Sequence, residues 1–284
     1  MIDLHCHTNI SDCSLSIEEV ILTAKNNGVE HLAITDHDTT VGLHTALEIG
    51  KVVGVNVVPG IEISAFDDKR DRRAHILGLY VNPDHPSLQI LCQPLVEKRH
   101  LTSKRMVEKI IKAGYNITWE HVQEYAKDGS GVYKQHIMHA LIDKGYTDSV
   151  YGTLYKNLFS RGNETTKPGL AFMPIEYIPV QDAIKAIREA GGVPVLAHPG
   201  QFDNFEGVKE WVETGLAGIE VNHPLHQEKD RQKAKELAIK YQLIQTGGSD
   251  FHGFYSDTQS TIGSYTTDLA EFQKLITRKA ETFA

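Results

Sequence analysis

The sequence predicts an α/β fold, a distorted TIM-like (β/α)7 barrel interrupted by an α-helical insertion. Three observations predict it. Short apolar runs alternate with helical patterns over residues 1–85 and 179–284, which implies a mostly parallel sheet, doubly wound or closed. Between residues 86 and about 178 that alternation gives way to helical patterns alone. Polar, metal-competent side chains lie at or near the ends of the apolar runs. A barrel gathers such ends at one mouth, whereas an open sheet spreads them along an edge.

The elements follow in chain order. "IDLHCH" (2–7) is the first strand, and because side chains alternate, His5 and His7 share one face while Cys6 takes the other. A helix over 16–27 has Ser16 as its N-cap and Gly28 after its last turn. "HLAITDH" (31–37), a helix over 40–52, "VNVVPGIEIS" (55–64) and "RAHILGLYV" (73–81) continue the pattern. "PLVEKRHLTSKRMVEKIIKAGY" reads as one helix with a basic exposed side. "TWEHVQEYAKDGSG" and "VYKQHIMHALIDKGY" read as two more, separated by a Gly/Ser turn. The barrel resumes with a helix over 180–191, strands "VPVLAHP" (193–199), "AGIEVNH" (217–223) and "QLIQTGGSD" (242–250), and helices over 204–215, 226–241 and 268–281. Residues 1–85 and 179–284 are therefore assigned to the barrel, and 86–178 to a helical cap over its mouth.

Composition narrows the function. The 284-residue chain has a formal net charge of −8, so as a whole it repels nucleic acid, and a nucleotide needs a local positive centre such as bound divalent cations. Cys6, Cys13 and Cys92 lack zinc-finger spacing and are odd in number, against a disulfide framework. No run approaches the roughly 20 apolar residues that span a bilayer, and no signal-like region precedes Asp3. A soluble, cytoplasmic protein without a membrane partner is expected; its oligomeric state is left open.

Nine residues collect at the ends of the runs: His5, His7, Asp12, His37, Glu62, His75, His198, Asp250 and His252. Each alone has an ordinary reading. A histidine beside a strand is commonly a hydrogen-bonded or surface residue, Asp12 in "SDCS" suits a turn, and Glu62 could pair with a lysine. Their common placement favours a metal site. Mixed imidazole and carboxylate donors suit Mn, Fe or Zn.

"DLHCH" followed by "SD", "TDHD", "PGIEIS", "AHILGL", "LAHP" and "GGSDFH" resembles, in order, the motifs of the PHP (polymerase and histidinol phosphatase) metal-dependent phosphoesterases. The helical insertion resembles the TrpH-type branch, whose members include nucleotide phosphatases and a 5′-end-directed RNA exonuclease. The resemblance implies a trinuclear site with up to three divalent ions. One would take His5, His7, Glu62 and Asp250; a second would share Glu62 and add His75 and His198; the third would take Asp12, His37 and His252. Such ions acidify a bridging water and stabilise charge on a phosphoryl group. Asp36 and Asp38 are expected to orient His37 or other ligands, or to serve a helix N-terminus. Asp250, His198 and His223 are the candidates for the catalytic acid.

Lys134, His136, Arg161 and Lys167 are the candidates for substrate binding. Where the branch usually reads "GRPH" this chain has "YKQH", so a point charge replaces the fork of an arginine. "SRGNETTKPG" is also longer than the usual "GKPAY"-like turn. The expected function is hydrolysis of small phosphate esters, with a nucleoside 3′,5′-bisphosphate or 5′-monophosphate as the first substrate to try. A ribose or nucleotide cyclic phosphate, opened and then cleaved as the monoester, is the close rival. Short RNA ends, histidinol phosphate, amide hydrolysis and a non-catalytic metal-binding module are the further alternatives.

Overall fold

Six of the chain's strands end at a common rim because their inward-facing residues change from apolar to polar along each strand. The computed structural model describes residues 1–163 and 165–282, with side chains to residue 279. In chain order the elements are β1 (Ile2–Asp3), α1 (Ile17–Asn26), β2 (His31–Ile34), α2 (Leu43–Val53), β3 (Asn56–Asp67) and β4 (Arg72–Leu79). Four helices follow, α3 (Pro86–Lys112), α4 (Trp119–Glu124), α5 (Lys134–Asp143) and α6 (Thr153–Phe159). The chain then continues with β5 (Ile178–Pro179), α7 (Val180–Glu189), β6 (Val193–Leu196), α8 (Pro199–Phe202), α9 (Val208–Thr214), β7 (Gly218–Asn222), α10 (Glu228–Tyr241), β8 (Ile244–Gly247) and α11 (Leu269–Thr282).

The sheet runs β1-β2-β3-β4-β6-β7-β8, with β5 paired to β3 off that path. Its two edges meet through Leu4 N donating to Gly247 O at 3.2 Å and Asp250 N donating to His5 O at 2.8 Å, so the sheet closes into a barrel. Helix formation is locally encoded: Ser16 and Glu19 form a reciprocal capping box on α1, and Ile17, Val20, Ile21 and Ala24 give it one buried stripe. Val58, Leu77, Val195 and Ile244 fill the lower barrel, where Phe272 and Leu275 of α11 plug the base. Nearer the mouth on the same inward faces stand Glu62, four residues beyond Val58 and paired with Leu77, and His75, two residues before Leu77.

Two expectations change. First, β4 is antiparallel to both β3 and β6, because four residues join it to β3 and a parallel return needs a crossover of a dozen or more. The reversal puts the N-terminal half of β4 at the rim, which is how His75, paired in register with Ser64, reaches the mouth. Second, "IDLHCH" is not one strand. The Asp3 carboxylate accepts from His5 N, Ser249 N and Gly263 N, replacing ladder bonds and ending β1. Ile2 and Leu4 pack in the barrel, Cys6 joins the outer core, and His5 and His7 still share one side.

Smaller differences concern lengths. The 204–215 helix is a 3-10 turn over Asn204–Gly207 followed by α9, and α6 lies where no helix is expected. The helices α3–α6 pack around an apolar cluster that includes Met106, Ile110, Val122, Ile137, Leu141 and Leu158.

Candidate metal centre

Glu62 stands at the centre of five imidazoles. Its Oε2 lies 3.3 Å from His5 Nε2, 3.2 Å from His7 Nε2 and 3.2 Å from His37 Nδ1. Its Oε1 lies 2.8 Å from His75 Nδ1 and 2.9 Å from His198 Nε2. Asp250 Oδ1 is 3.2 Å from both His5 Nε2 and His7 Nε2, and Asp12 Oδ1 is 3.3 Å from His252 Nε2. The nine residues singled out in the sequence therefore form one cluster. Its donor atoms gather in the groups His5–His7–Glu62–Asp250, His7–Asp12–His37–His252 and His37–Glu62–His75, and His5–Glu220–His223 forms a further group beside them.

The loops carrying these side chains are pinned by carboxylates. Asp36 accepts from Thr8 N, Thr8 Oγ1 and Ser11 Oγ at 2.8, 2.7 and 2.6 Å, which fixes the turn that presents Asp12. Asp38 takes a left-handed backbone (φ 56°) and accepts from Ser64 N, Ser64 Oγ and Arg99 Nη2. Both therefore hold loops on either side of His37 and do not bond its ring. His198 and Asp250 also have positive φ, 24° and 47°. Each is held there by a backbone hydrogen bond, His198 N to Glu220 Oε2 at 2.8 Å and Asp250 N to His5 O at 2.8 Å. Strained backbone of this kind aims side chains sharply out of strand ends. The second glycine of "GGSD" has a different cause: a Cβ on Gly248 would lie 2.4 Å from His5 N.

The donor set fits divalent cations. His5 Nε2 and His7 Nε2 face each other at 3.2 Å, a separation at which two ring nitrogens need a shared proton or a shared cation between their single in-plane sites. Asp250 Oδ1 and His37 Nδ1 are buried without a hydrogen-bond partner. Burial works against the charge of Glu62 and Asp250, yet the surrounding imidazoles hold both well below the usual carboxylate range. Burial likewise opposes Asp12, and His252 and His37 more than reverse it. His252 is pushed down by burial but raised to about 10 overall by Asp12 and Asp250. Protons thus supply the positive charge that cations supply when bound.

Sequence reasoning missed Glu220, which lies 3.2 Å from His5 Nδ1 and is fully buried. The signal was a single carboxylate in the otherwise apolar "AGIEV". It fixes the His5 tautomer and ring orientation. His223 is not at the cavity wall. Its Nδ1 accepts from Leu225 N at 3.2 Å, so its Nε2 carries a proton toward Asp250 Oδ2, also at 3.2 Å.

A cavity of about 260 Å³ opens over the cluster, lined by Asp12, His37, Glu62, His75, His198, Asp250 and His252 among others. Lys134 lines it as well, and so do Arg73, Gln135, Tyr151 and Tyr155. The other basic candidates are elsewhere. His136 is buried beneath the start of α5, where its Nδ1 accepts from Tyr133 N at 3.0 Å. Arg161 is 70% exposed beside Asp71, and Lys167 is exposed. Spacing alone could not separate a cap or a solvated charge from a ligand.

Known proteins agree with this architecture. The PHP domain model matches residues 3–162. The chain is 44% identical to a phosphoribosyl 1,2-cyclic phosphate 1,2-diphosphodiesterase of Eggerthella lenta, over 88% of this chain and 94% of that one. It is 31% identical to the 5′-3′ exoribonuclease Rnm of Escherichia coli, over 88% of this chain and 84% of that one. A Bifidobacterium adolescentis structure named for a metal-dependent phosphoesterase superposes with a TM-score of 0.87 at 27% identity, covering 97% of this chain and 95% of that one. A match over more than half of the chain, on a barrel whose rim gathers the donors, places the protein in the PHP domain family as a metal-dependent phosphoester hydrolase.

Proposed function

We propose that the substrate is a small phosphorylated sugar carrying a cyclic phosphodiester on ribose, whose ring is opened before the resulting monoester is cleaved. One observation carries this choice over a nucleotide. The 44% identity to the Eggerthella lenta diesterase spans 88% of the chain, helices α3–α6 as well as the barrel, whereas the E. coli exoribonuclease and the Chromobacterium violaceum 3′,5′-nucleoside bisphosphate phosphatase are 31% and 29% identical. The described residues lining the cavity over the cluster form no extended basic track of the kind that holds a polynucleotide.

His5, His7, Glu62 and Asp250 would hold one ion, Glu62, His75 and His198 a second, and Asp12, His37 and His252 a third. Their mixed donors suit Mn, Fe or Zn. Divalent cations there supply Lewis acidity toward phosphoryl oxygens and an acidified water as nucleophile. The protein's own groups do the rest. Glu220 orients His5, and Asp36 and Asp38 immobilise the loops bearing Asp12 and His37. Lys134 places an ammonium on the cavity wall, where it attracts the negative charge of a phosphorylated substrate. His198 shares the cavity wall with Asp250 and is the candidate to protonate a leaving alkoxide, because the surrounding imidazoles hold Asp250 as the carboxylate. His223 Nε2–H donates to Asp250 Oδ2 at 3.2 Å and holds that carboxylate in place. The three cysteines are buried and unpaired, which supports a reducing, cytoplasmic setting. No described helix is long and apolar enough to cross a membrane.

Phosphate release by Mn-loaded protein tests the reading. The panel comprises a 5-phosphorylated ribose 1,2-cyclic phosphate, a nucleoside 3′,5′-bisphosphate, a 5′-mononucleotide and a short 5′-phosphorylated RNA, with Asp12→Ala as control. The cyclic ester is expected to have the highest kcat/KM. A nucleotide preferred over it by tenfold or more overturns the proposal.

A further inference from the structure

We propose that the cavity over the metal centre and a second cavity beside it form one two-part substrate site, with Arg73 and Lys134 holding a second phosphate group of the substrate at the divide. The inference rests on the reading of this chain as a hydrolase of small phosphate esters and specifies what else such an ester carries.

The second cavity measures about 380 Å³ and shares Arg73, Lys134, Ile175 and Tyr177 with the first. None of the nine cluster residues lines it. An anion between Arg73 and Lys134 is therefore in reach of both spaces yet separate from the phosphoryl group held at the cluster. Phe66, Phe159 and Met173 add apolar surface to its lining, and Asp68, Arg161 and Glu176 add charged groups.

These two cations stand apart from their neighbours. Arg70 pairs with Asp67 and Glu210, Arg72 with Asp203, Lys98 with Glu176, Arg99 with Asp38 and Arg161 with Asp71. Arg73 and Lys134 meet no carboxylate within ion-pair distance among the described residues. Their charged groups instead lie over aromatic rings, Arg73 at 5.0 Å from the Phe202 centroid and Lys134 at 5.5 Å from that of Phe159. Cation–π contact orients a cation while leaving its hydrogen-bond donors open. Two cations that line the same cavities without an ion-pair partner repel each other, and an incoming dianion converts that repulsion into binding. Arg73 offers the planar fork suited to phosphate, and Lys134 the point charge.

The decisive measurement is a selectivity ratio on the Mn-loaded enzyme. Ribose 1,2-cyclic phosphate and its 5-phosphorylated form are compared for wild type, Arg73→Gln and Lys134→Met. Wild type is expected to favour the 5-phosphorylated ester, and each variant to cut that preference about tenfold or more, chiefly through KM, as expected for loss of a charged hydrogen bond. Equal losses on both esters, or no loss, overturn the proposal. Should neither cyclic ester be turned over, the reading of the substrate fails separately. The same ratio is then taken between a nucleoside 3′,5′-bisphosphate and the 3′-monophosphate. A second-phosphate preference absent there, or untouched by both variants, sinks the two-part site. Arg73 is exposed on β4, and a thermal melt of each variant confirms that the fold survives.

Discussion

Gln135 donates its side-chain amide to Asp12 Oδ2 at 2.9 Å and to Tyr151 OH at 3.0 Å. The contact joins α5 to the donor group His7–Asp12–His37–His252 and leaves Asp12 Oδ1 facing His252. Gln135 is thus a positioning residue. Gln135→Leu is expected to weaken binding of one ion by about tenfold while sparing the others, the usual scale for losing a group that orients a ligand. Metal titration with the apo protein, read by calorimetry, checks this. Unchanged stoichiometry and affinity would show that Asp12 needs no such support.

Lys134 gives a pH signature. Burial, with help from the charges of Arg73 and Arg99, pushes its ammonium down to about 8. A depressed value means the charge is present below about 8 and lost above it, so 1/KM for a phosphate dianion falls as pH rises through that value. Lys134→Arg keeps its charge across the range and flattens this limb. A KM profile from pH 6.5 to 9.5 on both proteins checks it, and an identical limb in Lys134→Arg assigns the titration elsewhere.

Arg99 carries a structural prediction. Its Nη2 lies 2.6 Å from Asp38 Oδ2, the side chains being 11% and 0% exposed, and it also donates to Ser64 Oγ. Arg99→Ala strands a buried carboxylate and is expected to destabilise the fold by about 3–5 kcal/mol. Arg99→Met with Asp38→Asn removes both charges and should recover a large part of that loss. Urea unfolding of the apo forms separates the two cases.

Removing the cations is the simplest perturbation. Free Mn at about 100 times its Kd should stabilise the folded chain by about 2.7 kcal/mol for each site, and a chelator should return the melting temperature to the apo value. Asp250→Asn, which withdraws one carboxylate from the His5–His7–Glu62 group, should shrink the shift. Equal melting temperatures with and without Mn would remove the metal reading.

The fold was legible wherever a period fixed it. The stripe of α1 and the inward parity of Val58, Gly60 and Glu62 follow from side-chain spacing. The direction of β4 has no period, although the short gap between "GIEIS" and "RAHIL" already forbade a crossover. The cluster was legible because its donors follow apolar runs in chain order. Glu220 escaped as one carboxylate among apolar neighbours, and Arg73 as one cation on a strand. Arg161 and Lys167 lie in an irregular stretch, where spacing does not tell which way a side chain points. His136 shows the same limit: one residue type serves equally as a ligand or as a helix-start hydrogen-bond acceptor.

The buried members of the apolar cluster beneath α3–α6 all come from residues 106–171 except Tyr255, which the barrel contributes. Lys134, Gln135, Tyr151 and Tyr155 are therefore anchored in one packed unit, and the cation donors in another. Drift in the first can redraw what is consumed without disturbing the second. Diverging lineages can thus exchange their diets while inheriting the same reaction.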